Sequence, residues 1–378
     1  IQHAVRTWDD EFADALHHEF GEERATDLLH EYGSEFPEGY KEDVAPRAAV
    51  ADLVRLDELR EPGDSSVRLH EELGASEDEH NFTLCRLGEP VELFELLPIF
   101  ASLGAHVIEE RPYELPRSDG ETAWIYNVGL RLPARSEAVS RADQADRFCE
   151  AFLAAWHGQA EVDELNALVA ATGISWREVA WIRAWLQYAR QLGTPFSYLY
   201  SRNVILANGS IAELLVALFR ARFDPDLSDE ERVPLVAELE SRIEAAIDDV
   251  ASLDADRILR QLHAIVKATL RTNAFQVDES GALRPALAMK MSPGDIPGVP
   301  APVPAYEIWV SSPRVSGVHL RFGAVARGGL RWSDRPEDMR TEILGLVKAQ
   351  MVKNAVIIPV GAKGGFVVKN PRDPSDRA

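Results

Sequence analysis

Apolar positions recur at helical spacing over the first sixty residues. In WDDEFADALHHEFGEERATDLLHEYG, Phe12, Leu16 and Phe20 fall four apart on one face, which predicts a helix that Gly33 ends. APRAAVADLVRL predicts a second, shorter helix, so residues 1–60 read as a helical linker or packing segment. Between 65 and 158 the period changes. SVRLHEEL and HNFTLCRL alternate partly with period two, as strands do. EPVELFELLPIFASLG predicts a helix with Pro90 in its first turn. Leu93, Leu96, Leu97, Phe100 and Leu103 form its apolar stripe, and Gly104 closes it. AHVIEERPYEL and TAWIYNVGLRL predict strands around the turn PRSDGET, and ADQADRFCEAFLAAWHG a further helix.

Residues 160–270 carry helical periods almost throughout. EVDELNALVAATG, ISWREVAWIRAWLQYARQLG, SIAELLVALFRARF, ERVPLVAELESRIEAAIDDVASL and DADRILRQLHAIVKATLRTN each predict a helix. Two open with capping boxes, Ser175 with Glu178 and Ser228 with Glu231, in which the two side chains tie up exposed amide donors. Trp181, Trp185 and Tyr188 sit at helical spacing, which marks them as core rather than as a cofactor box. From about Asn273 the texture shifts again. NAFQV and YEIWVSS predict strands, with the Pro- and Gly-rich SPGDIPGVPAPVPAY as the loop between them. GVHLRFGAV predicts another strand, and PEDMRTEILGLVKAQMVKNAVI a helix with Pro336 in its first turn. A buried strand VIIPV, a turn GAKGG and a strand FVVK follow. The pattern predicts an α+β multidomain chain in which residues 271–378 begin an α/β domain.

Composition narrows this picture. Apolar residues make up 46% of the 378, which suits packed cores. No apolar run approaches the roughly 20 residues that span a bilayer, so no membrane partner is expected. A net charge of −22 disfavours nucleic acid as a partner. The charge is uneven, because the stretch from Arg321 onward holds 11 basic and 6 acidic residues. A locally cationic segment on an acidic chain suits a small anionic substrate; chance clustering is the alternative. Cys85 and Cys149 form neither a disulfide framework nor a metal spacing, which suggests reduced thiols in a cytoplasmic protein. The histidines show no ligand spacing, so no metal is expected. With no initial Met and with abrupt ends, the chain reads as a piece of a longer product.

The chemistry concentrates in residues 326–369. Lys363 lies between Gly361-Ala362 and Gly364-Gly365, where small residues permit a sharp turn and the close approach of a ligand. A lysine after a buried strand is partly desolvated, which disfavours the ammonium and is expected to lower its pKa. That would make it a usable acid/base or nucleophile near neutral pH. Arg327, Arg331 and Lys353 add positive charge if the fold converges them. A dicarboxylate has two anionic ends, and two separate cationic contacts would fix its charge and orientation. The pentapeptide alone also fits a plain turn with a solvated lysine. A P-loop is excluded by the missing G-x-x-x-x-G-K-[ST].

The whole stretch resembles the substrate-binding core of the glutamate dehydrogenase superfamily. RFGAVARGGLRWSDR and KNAVIIPVGAKGGFVVK are most similar to its large-subunit, NAD-specific branch. LLPIFASLGAHVIEERPYEL resembles part of an ACT-type domain, whose strand–helix–strand–strand–helix order is that of a ferredoxin-like unit. The last strand of such a unit is not evident. The resemblance implies a helical linker segment at 1–60, an ACT-like unit at 65–158, a helical domain at 160–270, and the N-terminal part of a catalytic domain at 271–378. It implies oxidative deamination of L-glutamate to 2-oxoglutarate and ammonium by an allosteric homo-oligomer. NAD and a partner aspartate would be held beyond residue 378. By residue, Lys363 matches the catalytic lysine, which assists water addition and loss at the imine and carbinolamine stages. Arg327 matches the contact to the side-chain carboxylate, where small-subunit enzymes carry lysine. Lys353 matches the α-carboxylate lysine, and Arg331 a supporting arginine. Two rivals stand beside this reading: a non-catalytic amino-acid sensor or assembly module of the ACT type, and a superfamily member acting on a monocarboxylic amino acid.

Overall fold

The computed structural model describes residues 7–32, 36–71, 76, 78–117, 119–137, 139–324, 326–353 and 360–369, with only the backbone described at 326, 350–353 and 360. The chain divides into two compact units, residues 1–153 and 154–378.

The first unit begins with α1 (Trp8–Phe20), α2 (Glu22–Tyr32), α3 (Glu38–Asp43) and α4 (Pro46–Glu58). The long first helix expected from periodicity is two. Gly21, at φ 76°, breaks it, a conformation that costs glycine little and other residues much. Gly33, read as its end, lies outside the described residues. Next come β1 (Ser65–His70), β2 (Glu79–Leu87), α5 (Leu93–Ser102), β3 (His106–Pro116), β4 (Thr122–Arg131) and α6 (Arg141–Trp156). The strands form an antiparallel sheet in the order β1-β2-β4-β3. The edge left open in the sequence reading is filled by β1, which precedes the unit's other strands instead of following α6.

Both faces of this sheet are covered, which explains why β2 is buried almost without alternation. Phe82 meets Phe100 of α5 and Phe148 and Phe152 of α6 on one face. Cys85, Leu87, Tyr113, Leu115, Ala123 and Ile125 share a core with α1 to α4 on the other. Of the stripe expected on α5, Leu96, Phe100 and Leu103 are buried, while Leu93 and Leu97 are exposed. Gly104 closes the helix as expected, at φ 75°.

Toward one end, the face covered by α1 to α4 turns polar. Arg68, Thr83, Asn127 and Arg111 align across the strands, and His70, Asn81, Gly129 and Glu109 form the next row. They floor a cavity of about 320 Å³. Buried Asp52 of α4 accepts from Arg68 at 3.1 Å and from the Tyr40 hydroxyl at 2.8 Å. Burial, with Arg68 and Arg55 nearby, lowers the His70 pKa from 6.5 to about 4. The folded state therefore binds fewer protons than the unfolded one between these values, and stability is lost as pH falls through this window. Urea midpoints measured across it should fall less steeply in His70→Gln than in the parent chain; an unchanged slope would show that His70 contributes nothing.

The second unit opens with a 3-10 turn at Glu164–Asn166 and six helices: α7 (Ala167–Ala171), α8 (Trp176–Gln191), α9 (Tyr198–Ala207), α10 (Gly209–Phe223), α11 (Asp229–Asp248) and α12 (Leu253–Ala268). Both capping boxes are formed, at α8 and α11. The tryptophans are core as expected, with Trp181 and Trp185 packed on Phe219 of α10 at 4.9 and 5.4 Å between centroids. Helix α9 was not foreseen, because the tyrosine-rich FSYLYSRN offers no clear stripe. Among the described residues no single helix is long and apolar enough to cross a membrane.

A mixed sheet completes this unit: β5 (Thr269–Thr272), β6 (Leu287–Met291), β7 (Tyr306–Ser311), β8 (Val315–Arg321), β9 (Ala326–Arg327), β10 (Leu330–Trp332) and, after α13 (Met339–Lys353), β11 (Val360–Val368). The order is β10-β11-β8-β7-β6-β5, with β9 also on β11. Two local expectations fail here. NAFQV is a turn, and the preceding helix stops at Ala268. Thr269 begins β5 instead, paired with Met291 of the unanticipated β6. Long-range pairing has overridden local pattern. Most of VIIPV lies outside the described residues.

Candidate functional site

The site is built around β11. GAKGG, expected as a turn, is a continuous part of this strand. Its backbone is paired on both sides: antiparallel to β8, with Lys363 opposite Leu320, and parallel to β9 and β10. Glycine in a strand interior marks the close approach of other backbone or side chains, and here the chain itself approaches. A Cβ on Gly365 would stand 2.5 Å from Cδ1 of Ile343 on α13, and one on Gly364 2.5 Å from Cδ2 of Leu330. The Gly328-Gly329 pair does the same from the other side, since a Cβ on Gly328 would lie 1.5 Å from the carbonyl oxygen of Ala362.

Strand pairing decides which side chains share a face. Lys363 lies between Gly361 and Gly365, on the face that α13 covers through Ile343. Arg327 is registered against Gly361, and Arg331 against Gly365. The pleat thus places Arg327, Lys363 and Arg331 on one face of the sheet. Lys363 is half-buried and Arg327 is exposed. Arg331 is held by α13, with its Nε 2.8 Å from Glu342, whose other oxygen accepts from the Ser333 hydroxyl at 2.6 Å. Lys353 is the last residue of α13, and its side chain is outside the described residues.

The three cations are not equivalent. Arg331 is neutralised by Glu342, whereas neither Arg327 nor Lys363 has an ion-pair partner among the described residues. An unpaired lysine and arginine on one face leave charge available to an anion. Sequence reasoning missed Glu342 and Ser333. Glu342 is one of many helical glutamates, and only the packing of α13 onto β10 and β11 distinguishes it.

Four family models of glutamate dehydrogenase segments match in chain order. They are helical motif 2 at residues 15–59, the ACT3 domain at 64–144, helical motif 3 at 160–225, and the bacterial NAD-glutamate dehydrogenase catalytic domain at 242–378. Together these matches place the chain in the glutamate dehydrogenase class of proteins. Its relatives are large. It is 43% identical over 373 residues to the NAD-specific glutamate dehydrogenase of Halomonas elongata, with 99% of this chain and 23% of that protein aligned. To the enzyme of the same name from Mycobacterium tuberculosis it is 44% identical over 384 residues, covering 99% and 23%. To that of Pseudomonas aeruginosa it is 42% identical over 371 residues, covering 96% and 22%. The chain belongs to the large-subunit, NAD-specific glutamate dehydrogenase family, and spans about a quarter of the length of these relatives.

Proposed function

We propose that the full-length protein oxidatively deaminates L-glutamate to 2-oxoglutarate and ammonium, and that residues 271–378 supply part of its substrate site. The observation that carries this is the pair of unpaired cations, Arg327 and Lys363, on one sheet face beneath α13. Arg327 would take the side-chain carboxylate of glutamate, and Lys353 the α-carboxylate. Lys363 would move protons at the α-carbon nitrogen and at the water that adds there. Arg331, already committed to Glu342, would brace α13 against β10.

NAD as acceptor follows from the relatives, which are NAD-specific glutamate dehydrogenases. We place its binding site in the part of the relatives that this chain does not span. The remaining segments would serve assembly and regulation: a helical linker segment at 1–60, an ACT-type ferredoxin-like unit at 65–158 with β1 as its fourth strand, and a helical domain at 160–270, in a cytoplasmic homo-oligomer.

Arg327→Gln tests the substrate assignment in the full-length enzyme. It should raise KM for glutamate about 10- to 100-fold by removing a charge-assisted contact. It should also narrow the preference for glutamate over an amino acid with an uncharged side chain. An unchanged KM with unchanged preference would point to a monocarboxylic substrate.

A further inference from the structure

The helix that ends at Lys353 takes part of its N-terminal cap from another helix. The Arg340 N–H, in the first turn of α13, donates to Oε1 of Gln191 at 2.9 Å, and Nε2 of Gln191 donates to the carbonyl of Pro336 at 2.7 Å. Gln191 is the last residue of α8. Three residues earlier on α8, the Tyr188 hydroxyl donates to Oε2 of Glu307 at 2.7 Å. The same oxygen accepts from Nε of Arg340 at 2.9 Å, and Oε1 of Glu307 accepts from Nη2 of Arg340. Tyr188, Glu307 and Arg340 are all completely buried. Burial, and then the Glu307 carboxylate, push the Tyr188 hydroxyl well above its usual range, which keeps it a neutral donor.

Glu307 also stands in a row with the candidate catalytic lysine. It pairs with Leu320 of β8, which pairs with Lys363 of β11. Two strand spacings, about 9.6 Å, separate the two backbones. Helix α8 therefore grips both parts of the site: the strand row that leads to Lys363, and the first turn of the helix that carries Glu342 and ends at Lys353. A buried ion pair adds little stability over apolar packing of the same volume; here both oxygens of Glu307 are tied to named donors on α8 and α13.

We propose that Tyr188, Gln191, Glu307 and Arg340 are positioning residues for the substrate site. Through them the helical segment sets the placement of α13 against β11, and so the separation of the cations that receive glutamate. This rests on the reading of the Lys363 face as that site.

The test uses the full-length enzyme with Tyr188→Phe, Gln191→Ala and a control, Ile182→Val. Ile182 is buried on α8 about half a turn around the helix from Gln191. Tyr188→Phe removes one oxygen and keeps the ring packed near Trp309, at 5.8 Å between centroids, so the fold should survive. Tyr188→Phe and Gln191→Ala should each raise KM for glutamate about five- to tenfold, with a smaller change in kcat and none in KM for NAD. Ile182→Val should lower the melting temperature without moving KM for glutamate. If the two network variants behave like the control, or if both KM values drift together, the network is packing only and the proposal falls. Lys363→Ala separates the two failures. If it abolishes turnover while the network variants leave KM unchanged, the positioning role alone is wrong. If it leaves turnover intact, the site reading is wrong.

Discussion

Replacing Lys363 with alanine in the full-length enzyme should lower NADH production from L-glutamate by about 10²–10⁴-fold, the usual worth of a positioned proton-transfer group. Structural damage should be small. Lys363 has no ion-pair partner among the described residues, and its strand is held by backbone ladders to β8, β9 and β10 that alanine leaves intact. The loss should fall on kcat. Glutamate affinity should change far less, because Arg327 on the same face and Lys353 at the end of α13 remain. Lys363→Met, which keeps the length of the stem, should be as inactive as the alanine variant, since the missing feature is the amino group and not the packing. Turnover by either variant near the parental rate would remove Lys363 from the mechanism. An effect confined to KM would recast it as a binding residue alone.

The residues of this face were readable before the fold, but their arrangement was not. Arg327, Arg331 and Lys363 could be singled out because cations flanked by glycines are conspicuous in a linear sequence. Local rules read GAKGG as a turn, since glycines are the strongest turn signal. Whether it turns or extends is decided by β8, some forty residues earlier, and by β9 and β10, which pair with it across the intervening α13. The same limit governs β5 and β6, which exist by pairing with each other and with β7. For β1 the strand itself was legible in SVRLHEEL, and only its place, at the edge of the first sheet beside β2, depended on pairing. Elements whose signals are local came through: the boxes Ser175/Glu178 and Ser228/Glu231 start α8 and α11, and Gly104 ends α5. Glu342, Glu307 and Arg340 could not be found this way. Tyr188 and Gln191 lie 119 and 149 residues from the groups they meet, and Arg331 meets Glu342 only through the packing of α13 on β10, at no helical or strand period.

Gly328→Ala should be the most damaging conservative change in the catalytic segment, and Gly329→Ala should be tolerated. The two glycines are adjacent and chemically identical, and local propensity cannot separate them. The fold does. A methyl group on Gly328 would stand 1.5 Å from the carbonyl oxygen of Ala362 and 2.5 Å from its carbonyl carbon, whereas one on Gly329 meets nothing within 4 Å. The obstruction at Gly328 is backbone, so no rotamer change relieves it. Strands β9 and β10 would have to move off β11. Gly364 would then lose the hydrogen bond its N–H makes to the Gly329 carbonyl at 3.1 Å, and the register that places Arg327 beside Gly361 and Arg331 beside Gly365 would be lost. Removing one edge of a sheet and exposing its ladder belongs with the exceptional substitutions, at more than about 4 kcal/mol. Urea denaturation of the two variants, with glutamate turnover assayed in parallel, decides the matter. Gly328→Ala should show a lower midpoint and little turnover, and Gly329→Ala should match the parent in both. Equal behaviour of the two variants would mean that β9 does not approach β11 as closely as described. The convergence of Arg327 with Lys363 would then lose its structural basis.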